Sequence, residues 1–238
     1  PDWRFGYAML LLQANAPQQG AALLAQALAG EPEAGLAKQA RQAVLAPAKW
    51  LAAQEGRPAA PELGLGAAMR LAGSDPALAA ELAGKIAWNA RTRPYRTALW
   101  ARIARLAAMK QSPQAPAWFA EAGAALANDP NVPQRDEALL WQARSALLAG
   151  EPGGILRAVA MLPPEAAAEP RWTYWKAWAL AKGGKADEAR ALWESVAKGA
   201  EFYNLLACDA LGKDYERPED AAWPLVLPQA KVQAMAGK

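Results

Sequence analysis

Residues 136–215 read DEALLWQARSALLAGEPGGILRAVAMLPPEAAAEPRWTYWKAWALAKGGKADEARALWESVAKGAEFYNLLACDALGKDY, and apolar positions of helical period run through the whole stretch. Leu140, Ala143 and Leu147 share one side of a helix predicted over 134–149, which Gly150 closes. A short helix over 154–162 is stopped by Pro163-Pro164. Three helices follow in quick succession at about 171–182, 185–198 and 201–212. The pair at 171–198 has partial tetratricopeptide character: Gly184 lies in the turn, with Ala189 five residues on and Trp193 four later.

The rest of the chain extends the same pattern. Ala supplies 63 of the 238 residues, whereas Val, Ile and Thr together supply 12. Ala is the best helix former, and β-branched residues are what strands recruit. An all-β fold, or an α/β fold with a sizeable sheet, is thereby excluded. Toward the N-terminus, helices are predicted over 2–15, from Pro17 to about Gly30, and from Pro32 to a break at Pro47. The segment 57–61 reads as a linker. Ser74-Asp75-Pro76 is a start signal, a capping side chain followed by Pro in the first turn, with Leu78, Leu82 and Ile86 recurring behind it. A further helix starts at Pro94 with a stripe of Tyr95, Leu99, Ile103 and Leu106, and a single helix over 113–128 carries Trp118 and Phe119. The pattern dissolves at Pro218, Pro224 and Pro228. The expected fold is all-α: an α-solenoid or superhelix of antiparallel hairpins, partly tetratricopeptide-like, with a compact bundle as main competitor. It occupies 1–215, with a candidate sub-boundary near 57–61, followed by a Pro-containing tail or linker over 216–238.

Charge and rare residues narrow the function classes. Lys and Arg number 26 against 23 Asp and Glu, a net charge of +3, too dilute for the dense basic patches of nucleic-acid binding. There is no His, which removes the commonest general base and metal ligand. One Cys cannot form an internal disulfide. Apolar runs such as Ala8–Leu12 are far short of the roughly 20 residues that span a bilayer. The opening Pro1-Asp2-Trp3, with no Met and no leader, reads as a processed or trimmed chain.

Candidate sites are few. Trp172, Trp175 and Trp178, at i, i+3 and i+6, form a drifting helical stripe with Tyr174 to its side. It is either an aromatic platform for sugars or bases or core filling, and Ala-rich helices need large partners to fill the space between them. Arg91, Arg93, Arg96, Arg102 and Arg105 form the densest basic cluster. Guanidinium forks suit carboxylates or phosphates, so the cluster is a candidate anion-binding patch or a face paired with acids of an adjacent hairpin. Glu31 and Glu33, Asp136 and Glu137, and Asp187 and Glu188 sit at helix starts, where carboxylates complement the helix dipole. No phosphate loop, dinucleotide fingerprint, metal-ligand spacing or nucleophile elbow occurs. Cys208, among Leu205, Leu206 and Leu211, reads as a small buried hydrophobe. No catalytic residue, metal site or cofactor is expected.

Three blocks in order carry a family resemblance. The first is Trp141 and Arg144 followed by Leu162-Pro163-Pro164. The second is Arg171, Trp172, Tyr174, Trp175 and Ala177, leading into Gly184 and Ala189. The third is Phe202, Tyr203, Leu206, Ala207, Leu211 and Gly212, then Tyr215. In this order they resemble the closing hairpins of the superhelical, U-type, non-catalytic domain of soluble lytic murein transglycosylases. The likeness is close over 136–215 and covers the preceding residues only as a helical array of the right kind. In that family a lysozyme-like domain with a catalytic Glu in a Glu-Ser-x-Gly context follows. The Glu-Ser pair here, Glu194-Ser195, is followed by Val196 and Ala197 and does not match. The resemblance therefore implies peptidoglycan glycan strands and a lysozyme-like catalytic domain of the same parent as partners, a periplasmic location, and no activity for this chain alone. A tetratricopeptide-like protein–protein adaptor without a cell-wall role is the alternative.

Overall fold

The computed structural model describes residues 3–31, 35–54, 56–57 and 59–214; the expected tail over 216–238, and Tyr215 before it, lie outside them. Among the described residues there are fifteen α-helices and no strand. They are α1 (Trp3–Gln13), α2 (Pro17–Ala27), α3 (Leu36–Leu45), α4 (Pro47–Ala52), α5 (Pro61–Ser74), α6 (Pro76–Lys85), α7 (Arg96–Met109), α8 (Ala115–Ala122), α9 (Ala125–Asn128), α10 (Arg135–Ala149), α11 (Pro152–Ala160), α12 (Pro164–Ala167), α13 (Pro170–Lys182), α14 (Ala186–Val196) and α15 (Phe202–Leu211). A single 3-10 turn, Arg93–Tyr95, precedes α7. The all-α class read from composition is what the structure has.

Proline opens seven of these fifteen helices. Pro17, Pro47, Pro61, Pro76, Pro152, Pro164 and Pro170 each occupy the first position of their helix, where the missing N–H is one the helix would leave unbonded anyway. Asp75 caps α6, accepting from the Leu78 N–H at 3.0 Å. One expectation shifts. The helix expected over 113–128 is divided into α8 and α9, because Gly123 turns the chain through φ +67°, a left-handed conformation that no helix interior adopts. Between the 57–61 segment and the Asp75-Pro76 start signal the chain forms a further helix, α5.

The chain forms two compact units, 1–163 and 164–238. In the first, α5 is the central element. Leu63, Leu65, Ala67, Ala68, Met69 and Ala72 are all at most 1 % exposed, so the helix is buried on every side. It packs against α1, α2, α3, α4, α6 and α7, which places helices on both sides of 57–61 against one another. Small residues let them come close: a Cβ at Gly66 would lie 2.9 Å from Leu24 Cδ2 and 3.3 Å from Val44 Cγ2. Further along, α7 packs on α8 and α10, and α10 on α11. In the second unit, α13 packs on α14 and α15, and α14 on α15. There the buried set is smaller, Trp172, Ala177, Ala179, Leu180, Ala189, Val196, Ala207 and Cys208.

Candidate functional site

The five arginines lie on the 3-10 turn, the loop before it and α7, and each is held differently. Arg91 pairs with Glu31 at 2.5 Å and lies 5.7 Å from the Phe5 ring centroid. Arg96 pairs with Glu121 at 2.6 Å and donates to that residue's carbonyl at 3.0 Å. Arg102 donates to the backbone carbonyls of Met69 at 3.2 Å and Gln13 at 2.9 Å. Burial, with the charges of Arg105 and Arg70 beside it, pulls the Arg102 guanidinium down to about 10. Arg105 is 7 % exposed and donates to Glu137 at 3.1 Å and Gln134 at 2.7 Å. Arg93 is the exposed member, making a long 3.4 Å bond to the Trp88 carbonyl. The cluster thus ties α1, α5, α8 and α10 to α7, and Arg93 is the member turned to solvent.

The tryptophan stripe divides in the same way. Trp172 is 2 % exposed and belongs to the core, with the Arg171 guanidinium 5.6 Å from its ring centroid and Arg171 itself paired to Glu169 at 2.5 Å. Trp175 and Trp178 are half-buried and meet edge to face, centroids 5.8 Å apart. Tyr174 continues the contact to Trp175 at 5.3 Å, to Trp193 of α14 at 6.4 Å and to Tyr203 of α15 at 5.8 Å. Tyr203 touches Phe202 at 5.2 Å, and Phe202 is 67 % exposed. Six rings from three helices therefore form one connected aromatic surface. The sequence stripe contained three of them. Trp193 joins through the hairpin, a partnership the tetratricopeptide spacing at Gly184, Ala189 and Trp193 could have indicated.

Polar groups border these rings. Burial raises the Tyr174 phenol above its ordinary value, and the Asp209 carboxylate and Tyr203 add to the rise. Among the described residues neither phenol hydrogen-bonds to protein, the Asp209 carboxylate has no ion pair, and the covered Trp193 Nε1–H has no acceptor. Lys182 lies 5.7 Å from the Trp178 ring centroid.

The remaining motif residues are structural by contact. Arg144 stacks over Trp141 at 4.8 Å on α10. Ala177, Ala189 and Ala207 are fully buried, Gly184 turns the α13–α14 hairpin at φ +82°, and Gly212 ends α15 at φ +64°.

Among the described residues the carboxylates offer no paired acid and base. Glu62, 8 % exposed, accepts from Asn89 Nδ2 at 2.8 Å, and Asn89 in turn accepts from the backbone N–H groups of Arg91 and Thr92, so this acid braces the loop before α7. A cleft of about 540 Å³ between α4 and α6 has Glu81 on its rim, but Glu81 is paired with Lys85 at 2.5 Å. No group of three or more His, Cys, Asp or Glu among the described residues could hold a metal, and no described helix is long and apolar enough to cross a membrane.

No protein-family model matches the chain. Over 79 residues it is 33 % identical to the soluble lytic murein transglycosylase of Escherichia coli (strain K12), a stretch covering 33 % of this chain and 12 % of that protein. The soluble lytic murein transglycosylase of Salmonella typhimurium (strain LT2) matches with the same identity over the same shares. A third of this all-helical chain is thus similar to an eighth or so of the curated murein transglycosylases it matches.

Proposed function

We propose that the chain is a non-catalytic helical scaffold portion, of the superhelical kind, of a periplasmic peptidoglycan lytic transglycosylase. It helps to position glycan strands for cleavage by a lysozyme-like catalytic domain of the same parent. The observation that carries this reading is the 33 % identity over 79 residues to proteins named as murein transglycosylases. The three blocks support it: Trp141 lies on α10, Arg171–Ala177 on α13 and Phe202–Leu211 on α15.

The test is co-sedimentation of the chain with purified sacculi at low and moderate salt. Retention is expected, weakening as salt rises because a net charge of +3 adds a screened attraction to an anionic wall. Arg93→Glu, at the exposed member of the arginine cluster, should lower retention further at low salt. Absence of the chain from the pellet at both salts would remove the wall-directed reading. A second reading, a tetratricopeptide-like adaptor without a wall role, draws on the α13–α14 hairpin with its Gly184 turn and fully buried Ala189. It predicts indifference to sacculi and capture of a partner peptide in a groove.

A further inference from the structure

We infer that the connected aromatic surface on α13, α14 and α15 is a glycan-binding platform, taking the β-1,4-linked N-acetylhexosamine backbone across the rings of Trp178, Trp175, Tyr174, Tyr203 and Phe202. This deepens the wall-directed reading and rests on it for the class of ligand.

Three observations lead there. The rings are linked by successive centroid separations of 5.2–5.8 Å from Trp178 to Phe202, so they make a track and not isolated surface residues. The track stays open: Trp175, Trp178, Tyr174 and Tyr203 are half-buried and Phe202 is 67 % exposed. Large aromatic area left at the surface of a chain otherwise filled with Ala needs a reason. Finally, the border is polar and unpartnered. The Tyr174 and Tyr203 phenols and the Asp209 carboxylate find no hydrogen-bond partner among the described residues.

That border chooses the occupant. A purely apolar partner helix would cover the phenols and carboxylate and leave them unpaired, which is costly. A hexosamine unit instead offers one apolar C–H face to a ring while its hydroxyl and acetamide groups, around the edge, reach phenol and carboxylate. Apolar stacking with a few placed polar groups is the general composition of a small-ligand site. A phenol O–H can donate to a sugar oxygen while the Asp209 carboxylate accepts from a hydroxyl.

The experiment is titration calorimetry of the 238-residue chain with chitohexaose, run beside sacculus co-sedimentation of the same preparations. The parent chain should bind chitohexaose with little dependence on salt. Phe202→Ala removes an exposed ring and should weaken binding roughly three- to tenfold, the range for one aromatic contact. Tyr203→Phe keeps the ring, removes the phenol, and should weaken it by about the factor of one hydrogen bond, roughly two- to tenfold. Arg93→Ala, outside the platform, should bind chitohexaose like the parent, and far-UV circular dichroism should show all three variants folded. Sacculus retention without chitohexaose binding, or variants that bind like the parent, would overturn the platform and leave the wall-directed reading standing. Chitohexaose binding without sacculus retention would keep the platform and remove the scaffold reading. Binding of neither would end both, and would favour a protein occupant for these rings.

Discussion

Arg102 shows how much one side chain can organise. It joins the last residue of α1 to α5 by donating to the Gln13 and Met69 carbonyls. Arg102→Met keeps the aliphatic stem and removes both donors. Hydrogen bonds from a charged group are worth about 1.5–3 kcal/mol, so a loss of about that size is expected in urea denaturation. Arg93→Ala, at an exposed side chain, should shift stability by no more than about 0.5 kcal/mol. Equal midpoints for the two variants would contradict the tie. The spacing of five arginines along 91–105 is plain in the sequence, but their separate fates are not. Arg91 meets Glu31, 60 residues away, and Arg102 meets Gln13, 89 residues away. No local pattern encodes contacts at that distance; they follow from how α1 and α7 settle around α5.

At the scale of the helix, α5 is the instructive case. Three glycines, Gly64, Gly66 and Gly73, depress its helix propensity, and this is why it is hard to read from sequence while Pro-led helices such as α2, α6 and α13 are easy. The glycines answer a packing demand instead. At Gly66 a Cβ would meet Leu24 and Val44 at 2.9 and 3.3 Å, and both neighbours are fully buried, so neither side chain has room to swing aside. Gly66→Ala should therefore destabilise by about 1–2 kcal/mol, overpacking outweighing the helix gain. Two residues earlier the balance reverses. A Cβ at Gly64 meets Ile86 Cγ1 at 3.4 Å, near ordinary contact, so Gly64→Ala should stabilise by about 0.5–1 kcal/mol through propensity alone. Thermal or urea unfolding of the pair decides it, and a shared sign would refute the packing account. The division of α8 from α9 has the opposite logic: Gly123 lies inside an apolar helical pattern that extends on both sides, so the period alone predicts one helix, and only the glycine's left-handed φ ends it.

Across the whole chain the two units differ in what holds them. The largest fully buried side chains, from Phe5 to Leu139, all lie in unit 1–163, while the second unit is filled mainly by Ala and by rings that keep an open face. Burying a large apolar side chain contributes about 1.5–3 kcal/mol, so native-state hydrogen exchange should find the slowest amides in α5 and α7. Those of α13–α15 should open at a lower free energy, and equal protection in both units would contradict this. The helical class of both units was legible from Ala against β-branched content, and the 171–212 helices from their punctuation. The aromatic surface was legible only as a stripe, because Trp172, at the same helical spacing as Trp175 and Trp178, turns inward, and Trp193, Tyr203 and Phe202 arrive from other helices. The second unit also contains the single thiol of the chain. Cys208 is 4 % exposed, its Sγ 3.9 Å from the Ala197 carbonyl between α14 and α15. An alkylating reagent can reach it only when those helices part. With no other cysteine to compete, the rate of labelling becomes a built-in clock for that opening, readable by mass on the unmodified chain, and any ligand that clamps α13–α15 together must slow it.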